Sequence, residues 1–327
     1  MKVLLLGSSG LLGHNVLRIL LEENHEVVAL LRQASKLKIR HPRLTIREAS
    51  LTWNHILEVS EGCEAVINCA GTTDMSLLHQ EDYEPMNRDI CKDLVRLLEE
   101  RNSLRSLVHV STANTIGYGT ADCAATEASP MEFPFTESYY ALSKREGEKI
   151  LQEAAGRLPE KHIVIINPGF MIGAYDEKPS SGALLLAAYR KPLMAAPGGG
   201  KSFVYVADVA HATVNGLQMG RSGARYIAAG ENLSLKEFYA LEAEKEGYRQ
   251  YLVTLPDGLV GLAGRIGDLL RRTGIRTQLS TRNVRQLMVR EYYDSSCAVR
   301  ELHMPQTPIG RAIEDFFAYQ CGKRHNK

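Results

Sequence analysis

The sequence lacks the features that would indicate a secreted, metal-binding or nucleic-acid-binding protein. Its six cysteines form no C-x-x-C pair and no histidine is grouped with them at zinc-ligand spacing, so we expect free thiols and no metal site. The 39 basic and 38 acidic residues nearly cancel, leaving a net charge of +1. Nucleic acids and anionic membrane surfaces attract a concentrated basic excess, so we expect neither as a partner.

Long uninterrupted apolar runs are also missing. The first run, residues 3–6, ends at Gly7 and is too short for the apolar segment of a signal peptide. A later candidate, residues 259–270, contains Arg265 and Asp268, which argue against a membrane-spanning helix. With 44% hydrophobic and 24% charged residues, the composition is that of an ordinary globular protein. We therefore expect a cytoplasmic protein whose 327 residues bury a core without disulfides.

The first half of the chain alternates between short apolar runs and helical periodicity. Helical spacing is clear at Leu12, Val16 and Leu20, directly after the first apolar run. Strands are predicted at residues 2–6, 26–31, 44–47, 65–69, 106–110 and 162–167, and further helices at residues 88–100 and 138–155. Strands separated by helices indicate right-handed βαβ units, and hence an α/β fold with a doubly wound parallel sheet.

The pattern changes after Pro168. Glycine and proline are frequent in residues 169–200, and a short strand at 202–206 leads into a helix at 208–218. Ser234 and Glu237 have the spacing of a capping box that opens a helix, and Thr307-Pro308 precedes another. The last third is therefore expected to form a smaller, mostly helical unit.

A glycine-rich turn lies between the first strand and the first helix. Residues 7–13, Gly-Ser-Ser-Gly-Leu-Leu-Gly, place glycines at every third position. Glycine permits positive φ, and its missing side chain lets backbone N–H groups approach a pyrophosphate at the helix N-terminus. Because the motif stands in the required strand–turn–helix context, it predicts dinucleotide binding.

The end of the second strand bears on the choice between NAD and NADP. A carboxylate there would bind the ribose 2′-hydroxyl, whereas an arginine accommodates a 2′-phosphate. The chain has Arg32 at this point, followed by Lys36 and Lys38, with no acidic residue nearby in sequence. This favours NADP, although a solvated basic loop would look the same.

Tyr140 and Lys144 are four residues apart, on one face of a predicted helix. A nearby ammonium favours the phenolate, so we expect Lys144 to lower the pKa of Tyr140 toward the range of a general acid. Thr112 follows the strand at 106–110, where hydroxyl groups at the carboxyl end would face the cofactor crevice.

Taken together, these motifs resemble the extended short-chain dehydrogenase/reductase family, in the NAD-dependent epimerase/dehydratase superfamily, over almost the whole chain. The matching residues are Gly7, Gly10, Gly13, Asn68-Cys69-Ala70-Gly71, Asn87, Thr112, Tyr140 and Lys144. Residues 167–173, Asn-Pro-Gly-Phe-Met-Ile-Gly, resemble the branch related to dihydroflavonol reductases, where epimerases and dehydratases commonly have Arg-Pro. Ser50-Leu51 departs from the Asp-Leu that many members place against the adenine.

The resemblance implies a Rossmann-type domain at residues 1–167, to which 202–219 returns, and a substrate-binding lobe formed by 168–201 and 220–327. Thr112, Tyr140 and Lys144 are the implied catalytic residues. The implied cofactor contacts are Gly7, Ser9, Gly10, Leu11, Leu12, Gly13, Arg32, Lys36, Ser50, Leu51, Cys69, Ala70, Gly71, Asn87, Val110, Tyr140, Lys144, Asn167, Pro168 and Phe170. The implied substrate contacts are Thr72, Ala113, Asn114 and Met171, with Phe170 and Met171 open to a core role instead.

The expected function is NADP-dependent reduction of a ketone or aldehyde on a small to medium, moderately apolar substrate. Tyr140 would donate the proton to the carbonyl oxygen, Thr112 would hold that oxygen, and Lys144 would bind the nicotinamide ribose. The alternative is a nucleotide-sugar epimerase or dehydratase with tightly bound NAD. A non-catalytic dinucleotide-sensing regulator is a third possibility that the intact Tyr-Lys pair disfavours. By analogy with the family, we expect a homodimer formed through the helices at 88–100 and 138–155.

Overall fold

The computed structural model describes residues 1–177, 181–275 and 277–325. Its strands are β1 (Lys2–Leu6), β2 (Glu26–Leu31), β3 (Leu44–Glu48), β4 (Ala65–Asn68), β5 (Ser106–Val110), β6 (His162–Pro168), β7 (Phe170–Ile172), β8 (Leu193–Pro197), β9 (Gly200–Tyr205), β10 (Arg225–Ala228), β11 (Glu231–Ser234), β12 (Tyr251–Leu255) and β13 (Arg290–Glu291). Its α-helices are α1 (Leu11–Glu22), α2 (Trp53–Val59), α3 (Ile90–Glu100), α4 (Tyr139–Arg157), α5 (Gly182–Ala188), α6 (Val206–Asn215), α7 (Leu235–Lys245), α8 (Asp257–Arg272), α9 (Thr281–Arg285), α10 (Ser296–Glu301) and α11 (Ile309–His325).

The central sheet has seven strands in the order β10-β6-β5-β4-β1-β2-β3, and every neighbouring pair is parallel. The strand order reverses at β1, which pairs with β2 on one side and with β4 on the other. In open parallel sheets, ligands bind outside the carboxyl ends of the strands at such a reversal. The topology therefore places a crevice above Leu6 and Asn68, where β1 and β4 end.

Apolar layers cover both faces of this sheet. On one face, Val16 and Leu20 of α1 pack in the same cluster as Val209 of α6. On the other face, a second cluster contains Leu94 of α3 and Leu151 of α4. A sheet buried on both sides explains why its strands are continuous apolar runs, and the predicted doubly wound α/β fold is confirmed.

The C-terminal part packs as a smaller lobe around its own apolar cluster. Phe203 of β9 stacks on Phe238 of α7, with ring centroids 3.9 Å apart, and Phe316 of α11 is buried beside them. The predicted capping box is present, since Ser234 and Glu237 each bond the other's backbone N–H. The lobe contains more strand than predicted, in a sheet of β7, β9, β11 and β13 and a β8–β12 pair.

The division into domains differs from the prediction at two places. The edge strand β10 pairs with β6 in the central sheet, with Arg225 opposite Ile165, although residues 220–327 were assigned to the lobe. Residues 202–219 return to the central sheet only through α6, because β9 belongs to the lobe's sheet. A strand as short as the four residues of β10 does not encode in its own sequence which of two sheets it joins.

Several chain-wide features can be stated for the described residues. All six cysteines are free thiols. In the part of the chain that the structure describes, no three His, Cys, Asp or Glu side chains are grouped closely enough to hold a metal ion. Within the same part, none of the helices has the length and apolar character needed to cross a membrane.

Glu242 of α7 makes the stability of the lobe depend on pH. Its side chain is fully buried, accepts a hydrogen bond from the Tyr248 hydroxyl at 2.8 Å, and has one oxygen without a partner in the described structure. Burial raises the pKa of Glu242 from 4.5 to about 8. Between these two values the unfolded chain has lost the proton that the folded chain keeps, so stability from this group falls as pH rises through that window.

We expect Glu242→Gln, which is neutral at every pH, to remove this loss. Thermal unfolding at pH 5 and pH 8 should show a smaller decrease in melting temperature for the variant than for the wild type. The control is Glu244→Gln, an exposed position on the same helix, which should behave like the wild type. Equal pH dependence in wild type and Glu242→Gln would contradict the prediction.

Candidate active site

The glycine-rich turn sits directly against the end of β4. Gly7 has φ of +81°, and a Cβ atom there would lie 2.6 Å from the Cys69 carbonyl carbon and from the Ala70 nitrogen. A Cβ atom on Gly13 would collide with the Gly7 backbone. At both positions, only glycine allows strand, turn and helix to approach so closely.

Gly10 has a different environment from Gly7 and Gly13, the other two glycines of the turn. A Cβ atom there would meet only the Gly7 oxygen, at 3.4 Å, and the residue is exposed. Gly10 is the N-cap residue of α1 and has no side chain, so it leaves the first N–H groups of the helix without a side-chain acceptor. In the same turn the Ser8 hydroxyl is buried without a hydrogen-bond partner among the described residues. A pyrophosphate fits this turn, because it would accept hydrogen bonds from open backbone N–H groups at a helix N-terminus.

Asn87 fixes the segment after β4 that forms the other wall of the crevice. Its side chain accepts from the Thr72 N–H at 2.9 Å and donates to the Thr72 carbonyl at 3.0 Å and to the Ser143 hydroxyl at 3.0 Å. Asn87 lies in a π-helical turn, residues 85–89, just before α3. A Cβ atom on Gly71 would lie 2.9 Å from the Lys144 ammonium, so Gly71 leaves space at that group.

The three predicted catalytic side chains lie together beside this crevice. Thr112 follows the end of β5, and its hydroxyl lies close enough to Tyr140, in the first turn of α4, to lower the pKa of that phenol. Lys144 lies one turn further along α4, is buried, and donates to the Val110 carbonyl at 2.8 Å. The α4 N-terminus is fixed by Ser138, whose hydroxyl accepts from the Ala141 N–H.

The expected lowering of the Tyr140 pKa is wrong for this structure. Burial raises the pKa of Tyr140 to about 12, against a smaller opposite effect of the hydrogen bond with Thr112, and the charge of Glu148 raises it further. Lys144 is not among the groups that shift the pKa of Tyr140, and its ammonium donates to the Val110 carbonyl. Burial also lowers the pKa of Lys144, so its ammonium gives up a proton more readily than that of an exposed lysine.

Glu148, which the sequence motifs did not identify, organises the polar groups behind Thr112. It is fully buried, and one of its oxygens accepts from Ser111 at 2.5 Å, Thr115 at 2.6 Å and Asn167 at 2.6 Å. Asn167 also donates to the Thr112 carbonyl at 3.0 Å. Tyr140, Lys144 and Glu148 share one four-residue spacing, which was the available signal for a third functional position on this helix face.

Two arginines complete the Glu148 cluster. The second carboxylate oxygen lies 3.1 Å from Arg145 and 3.5 Å from Arg225, which belongs to the edge strand β10. The predicted cofactor residue Asn167 therefore belongs to this network, although its side-chain oxygen has no partner among the described residues. Thr112 is thus held from behind by a buried, charged network rather than by apolar packing.

The predicted 2′-phosphate residues lie at the carboxyl end of β2. Arg32 and Lys36 are exposed, and neither forms an ion pair in the described part of the chain. The parallel pairing brings one acidic residue to this end, because Glu48 of β3 stands opposite Leu31. Its carboxylate accepts from the Ala34 N–H at 2.7 Å. The sequence therefore missed an acidic neighbour that only strand pairing reveals.

The remaining predicted cofactor residues occupy the same edge of the sheet or its surroundings. Those at or just beyond the carboxyl ends of strands are Ser50, Leu51, Cys69, Ala70, Val110 and Pro168, and those in the turn and first helix are Ser9, Leu11 and Leu12. Leu12 is buried in the apolar cluster below α1, and Leu11 packs against it. Phe170 lies edge-on to Phe203 at 5.5 Å, within the lobe's cluster.

The predicted substrate residues do not line the narrow cleft that opens beside Tyr140. That cleft is lined by Met75, Leu77, Tyr83, Ser138, Tyr139, Tyr140, Arg271, Arg282 and Asn283. Ala113 is fully buried in an apolar cluster, and Met171 packs against the core below the sheet. Thr72 and Asn114 are half-buried near the catalytic residues. The cleft residues of α8 and α9 lie more than a hundred positions away from Tyr140 in sequence, so local motifs could not point to them.

This geometry agrees with a family match over most of the chain. The family model described as "NAD dependent epimerase/dehydratase family" matches residues 3–229. The chain belongs to this family. As a family member with reductase-named relatives, it is an NAD(P)-dependent enzyme of the extended short-chain dehydrogenase/reductase type.

Relatives of this epimerase/dehydratase family member include proteins named as reductases. A putative dihydroflavonol 4-reductase of Synechocystis sp. is 27% identical over 318 residues, covering 94% of this chain and 91% of the relative. A 4-hydroxy-2-methyl-3-oxo-4-farnesyl-3,4-dihydroquinoline-1-oxide ketoreductase of Stigmatella aurantiaca is 26% identical over 283 residues, covering 83% and 81%. The resemblance to the dihydroflavonol-reductase-like branch is confirmed.

Solved structures give the same fold. The UDP-glucose 4-epimerase of Thermotoga maritima, solved with UDP-glucose, matches with a TM-score of 0.78 over 99% of this chain and 100% of that chain. At 16% sequence identity, this likeness concerns the fold alone.

Removal of the Glu148 charge should destabilise the whole site. In Glu148→Gln the amide oxygen can keep the three hydrogen bonds, but the two arginines lose their buried counter-charge and face an NH2 group instead, so we expect a loss of about 3–5 kcal/mol in unfolding free energy. Urea denaturation of both proteins measures the difference. Glu153→Gln, an exposed position on α4, is the control and should stay within about 0.5 kcal/mol of the wild type. A Glu148→Gln loss below about 1 kcal/mol would show that the network is not under this electrostatic constraint.

Proposed function

We propose that this family member is an NADP-dependent reductase of ketones or aldehydes carried on moderately apolar molecules. The observation that carries the proposal is the grouping of Thr112, Tyr140 and Lys144 at the crevice: Thr112 follows the end of β5, Tyr140 lines a cleft, and Lys144 lies one helical turn behind it. A bound nicotinamide would supply the hydride for reduction. Tyr140 would donate a proton to the carbonyl oxygen, and Thr112 would hold that oxygen within reach of Tyr140.

Lys144 would hold the ribose next to the nicotinamide. Its ammonium donates to the Val110 carbonyl and lies where Gly71 leaves space, so donors remain for ribose hydroxyl groups. A cation beside the phenol would oppose the burial that raises the pKa of Tyr140.

The cleft lining supports an apolar substrate. Met75, Leu77 and Tyr83 present apolar surface beside Tyr140, and the Tyr83 and Tyr140 ring centroids are 6.5 Å apart. One reductase relative is named for a farnesylated quinoline, a molecule that joins a ketone to an apolar chain. We therefore propose that the carbonyl is presented to Tyr140 while an apolar portion of the substrate lies against Met75, Leu77 and Tyr83 at the entrance of the cleft.

A nucleotide-sugar substrate is the second candidate, favoured by two arginines in the cleft. The Arg271 guanidinium donates to the carbonyls of Met75 and Thr277, while the Arg282 guanidinium lies 3.7 Å from the Tyr139 ring centroid. Arginine is suited to a diphosphate because of its fork of donors. Arg271 is largely occupied by backbone carbonyls, so the reductase proposal takes precedence.

A spectrophotometric screen distinguishes these candidates. The purified chain is mixed with NADPH or NADH and with ketones, aldehydes or nucleotide sugars, and cofactor oxidation is followed. Oxidation of NADPH by apolar carbonyl compounds supports the proposal. Stoichiometric NAD released on denaturation, together with no oxidation of added NADPH, would instead identify an epimerase or dehydratase. Sedimentation of the same sample tests the expected homodimer.

Tyr140→Phe tests the proposed proton donor. The substitution removes one hydroxyl from a half-buried ring, so the fold and the turn at Gly7 should remain intact. We expect turnover to fall by about 10²–10⁴-fold, the usual contribution of a general acid, with NADPH affinity within a factor of about two. Tyr139→Phe, the adjacent position, is the control. Unchanged turnover in Tyr140→Phe would rule out the assignment.

Arg32→Glu tests the proposed preference for NADP. A carboxylate at the end of β2 would repel the 2′-phosphate and accept from a ribose hydroxyl. We expect the KM for NADPH to rise about tenfold or more, the effect of losing one charge-assisted phosphate contact, while the KM for NADH stays or falls. Lys149→Glu, an exposed charge reversal on α4, is the control. Equal effects on both cofactors would contradict a 2′-phosphate contact.

A further inference from the structure

Helix α8 presents an apolar row to solvent. Leu259, Leu262, Ile266 and Leu269 are 56%, 51%, 52% and 62% exposed. Their spacing of three, four and three residues places them on one side of the helix. We call these four residues the α8 apolar face. Single exposed leucines are common on protein surfaces, but a continuous row of four apolar side chains is typical of an interaction surface.

The opposite side of α8 is fixed against the protein. A Cβ atom on Gly264 would lie 2.6 Å from Val284 of α9, and one on Gly267 would lie 2.5 Å from the Leu279 carbonyl carbon. Val260 is buried on the same side. Because this contact is so close, the helix cannot turn its apolar face inward without losing it.

The sequence segment that contains α8 is rich in arginine, and two of these arginines flank the apolar face. Residues 249–290 contain eight arginines, no lysine, two aspartates and no glutamate, which gives +6 in a chain whose net charge is +1. At 100° per residue, Arg265 and Arg272 border the apolar row, whereas Asp257 and Asp268 lie on the far side of the helix. Both bordering arginines are exposed. The pattern is that of a helix lying in the surface of a bilayer with anionic headgroups.

We propose that the α8 apolar face docks this enzyme on membranes that contain anionic lipid. The four apolar side chains would enter the boundary between headgroups and acyl chains, while Arg265 and Arg272 would contact lipid phosphates. This reverses the expectation from whole-chain charge, which averaged the +6 segment with an opposing excess of acidic residues elsewhere.

The position of α8 links this surface to the catalytic cleft. Arg271, in the last turn of α8, lines the cleft beside Tyr140. An apolar substrate dissolved in the bilayer would therefore reach the cleft along the same helix that contacts the lipid. This last step rests on the proposed function, whereas docking on the membrane does not.

Vesicle flotation of the full chain tests the docking. The vesicles are phosphatidylcholine alone or phosphatidylcholine mixed with phosphatidylglycerol. We expect flotation with the mixed vesicles, less with neutral vesicles, and a decrease at high salt because headgroup attraction is screened. Failure of the wild type to float with the mixed vesicles would overturn the proposal.

Paired serine substitutions locate the contact. Leu262→Ser with Ile266→Ser removes two apolar side chains and should reduce vesicle partitioning by about tenfold or more. The control pair is Leu186→Ser with Val299→Ser, each 37% exposed on other helices, and should float like the wild type. Unchanged flotation of the Leu262/Ile266 pair would overturn the proposal. Circular dichroism of each protein verifies that it is folded. Arg265→Ala with Arg272→Ala should reduce binding to the mixed, anionic vesicles and leave binding to neutral vesicles unchanged.

Two further measurements distinguish membrane docking from dimer formation and from the proposed reductase activity. If sedimentation shows a wild-type dimer that the Leu262/Ile266 pair abolishes, and no vesicle binding occurs, the face is covered by a second copy of the chain and the proposal is overturned. Turnover of a water-soluble ketone should be the same in wild type and in the serine pair. Vesicle binding without any turnover would leave the docking supported and refute the proposed reductase activity.

Discussion

The buried carboxylate of Glu148 is the interaction on which the catalytic geometry depends. It joins the ends of β5 and β6 through Ser111 and Asn167, and it joins α4 to the edge strand β10 through Arg225. A fully buried carboxylate is costly unless its lone pairs and its charge are satisfied. Here three donors and two guanidinium groups satisfy them, so the loop that carries Thr112 has few alternative positions.

A second constraint acts at the reversal of strand order. The Gly7 backbone rests on Cys69 and Ala70, and Asn87 fixes the segment that follows. Together these contacts define the crevice between β1 and β4 as a rigid cradle of backbone groups. The proposed catalytic residues of α4 are tied to the next strand, because Lys144 donates to the Val110 carbonyl at 2.8 Å. The candidate cofactor crevice and the proposed proton donor are thus positioned by neighbouring strands of one sheet.

Local patterns allowed the central fold and the motif residues to be predicted from sequence. The turn at Gly7, the pair Tyr140 and Lys144, and the capping box at Ser234 each depend on residues within seven positions of one another. The features that were not predicted depend on pairing between residues that are far apart in sequence. Strand β10 joins β6 across about sixty residues, and Glu48 reaches Ala34 only because β2 and β3 pair. Burial changed one conclusion outright, since it raises the pKa of Tyr140 that the nearby Lys144 was expected to lower.

The lobe shows why average charge says little about where a protein binds. Electrostatic attraction to a surface falls off within about 10 Å at physiological salt, so the charge that matters is the charge on the approaching face. The arginine-rich segment around α8 contains no lysine or glutamate, and its two acidic residues lie away from the apolar row. Arginine is more weakly hydrated than lysine and forms bidentate contacts with phosphate. Helix α8 carries the outward apolar row and the arginines that border it. Its last turn forms part of the cleft wall, so surface contact and substrate access lie on one helix.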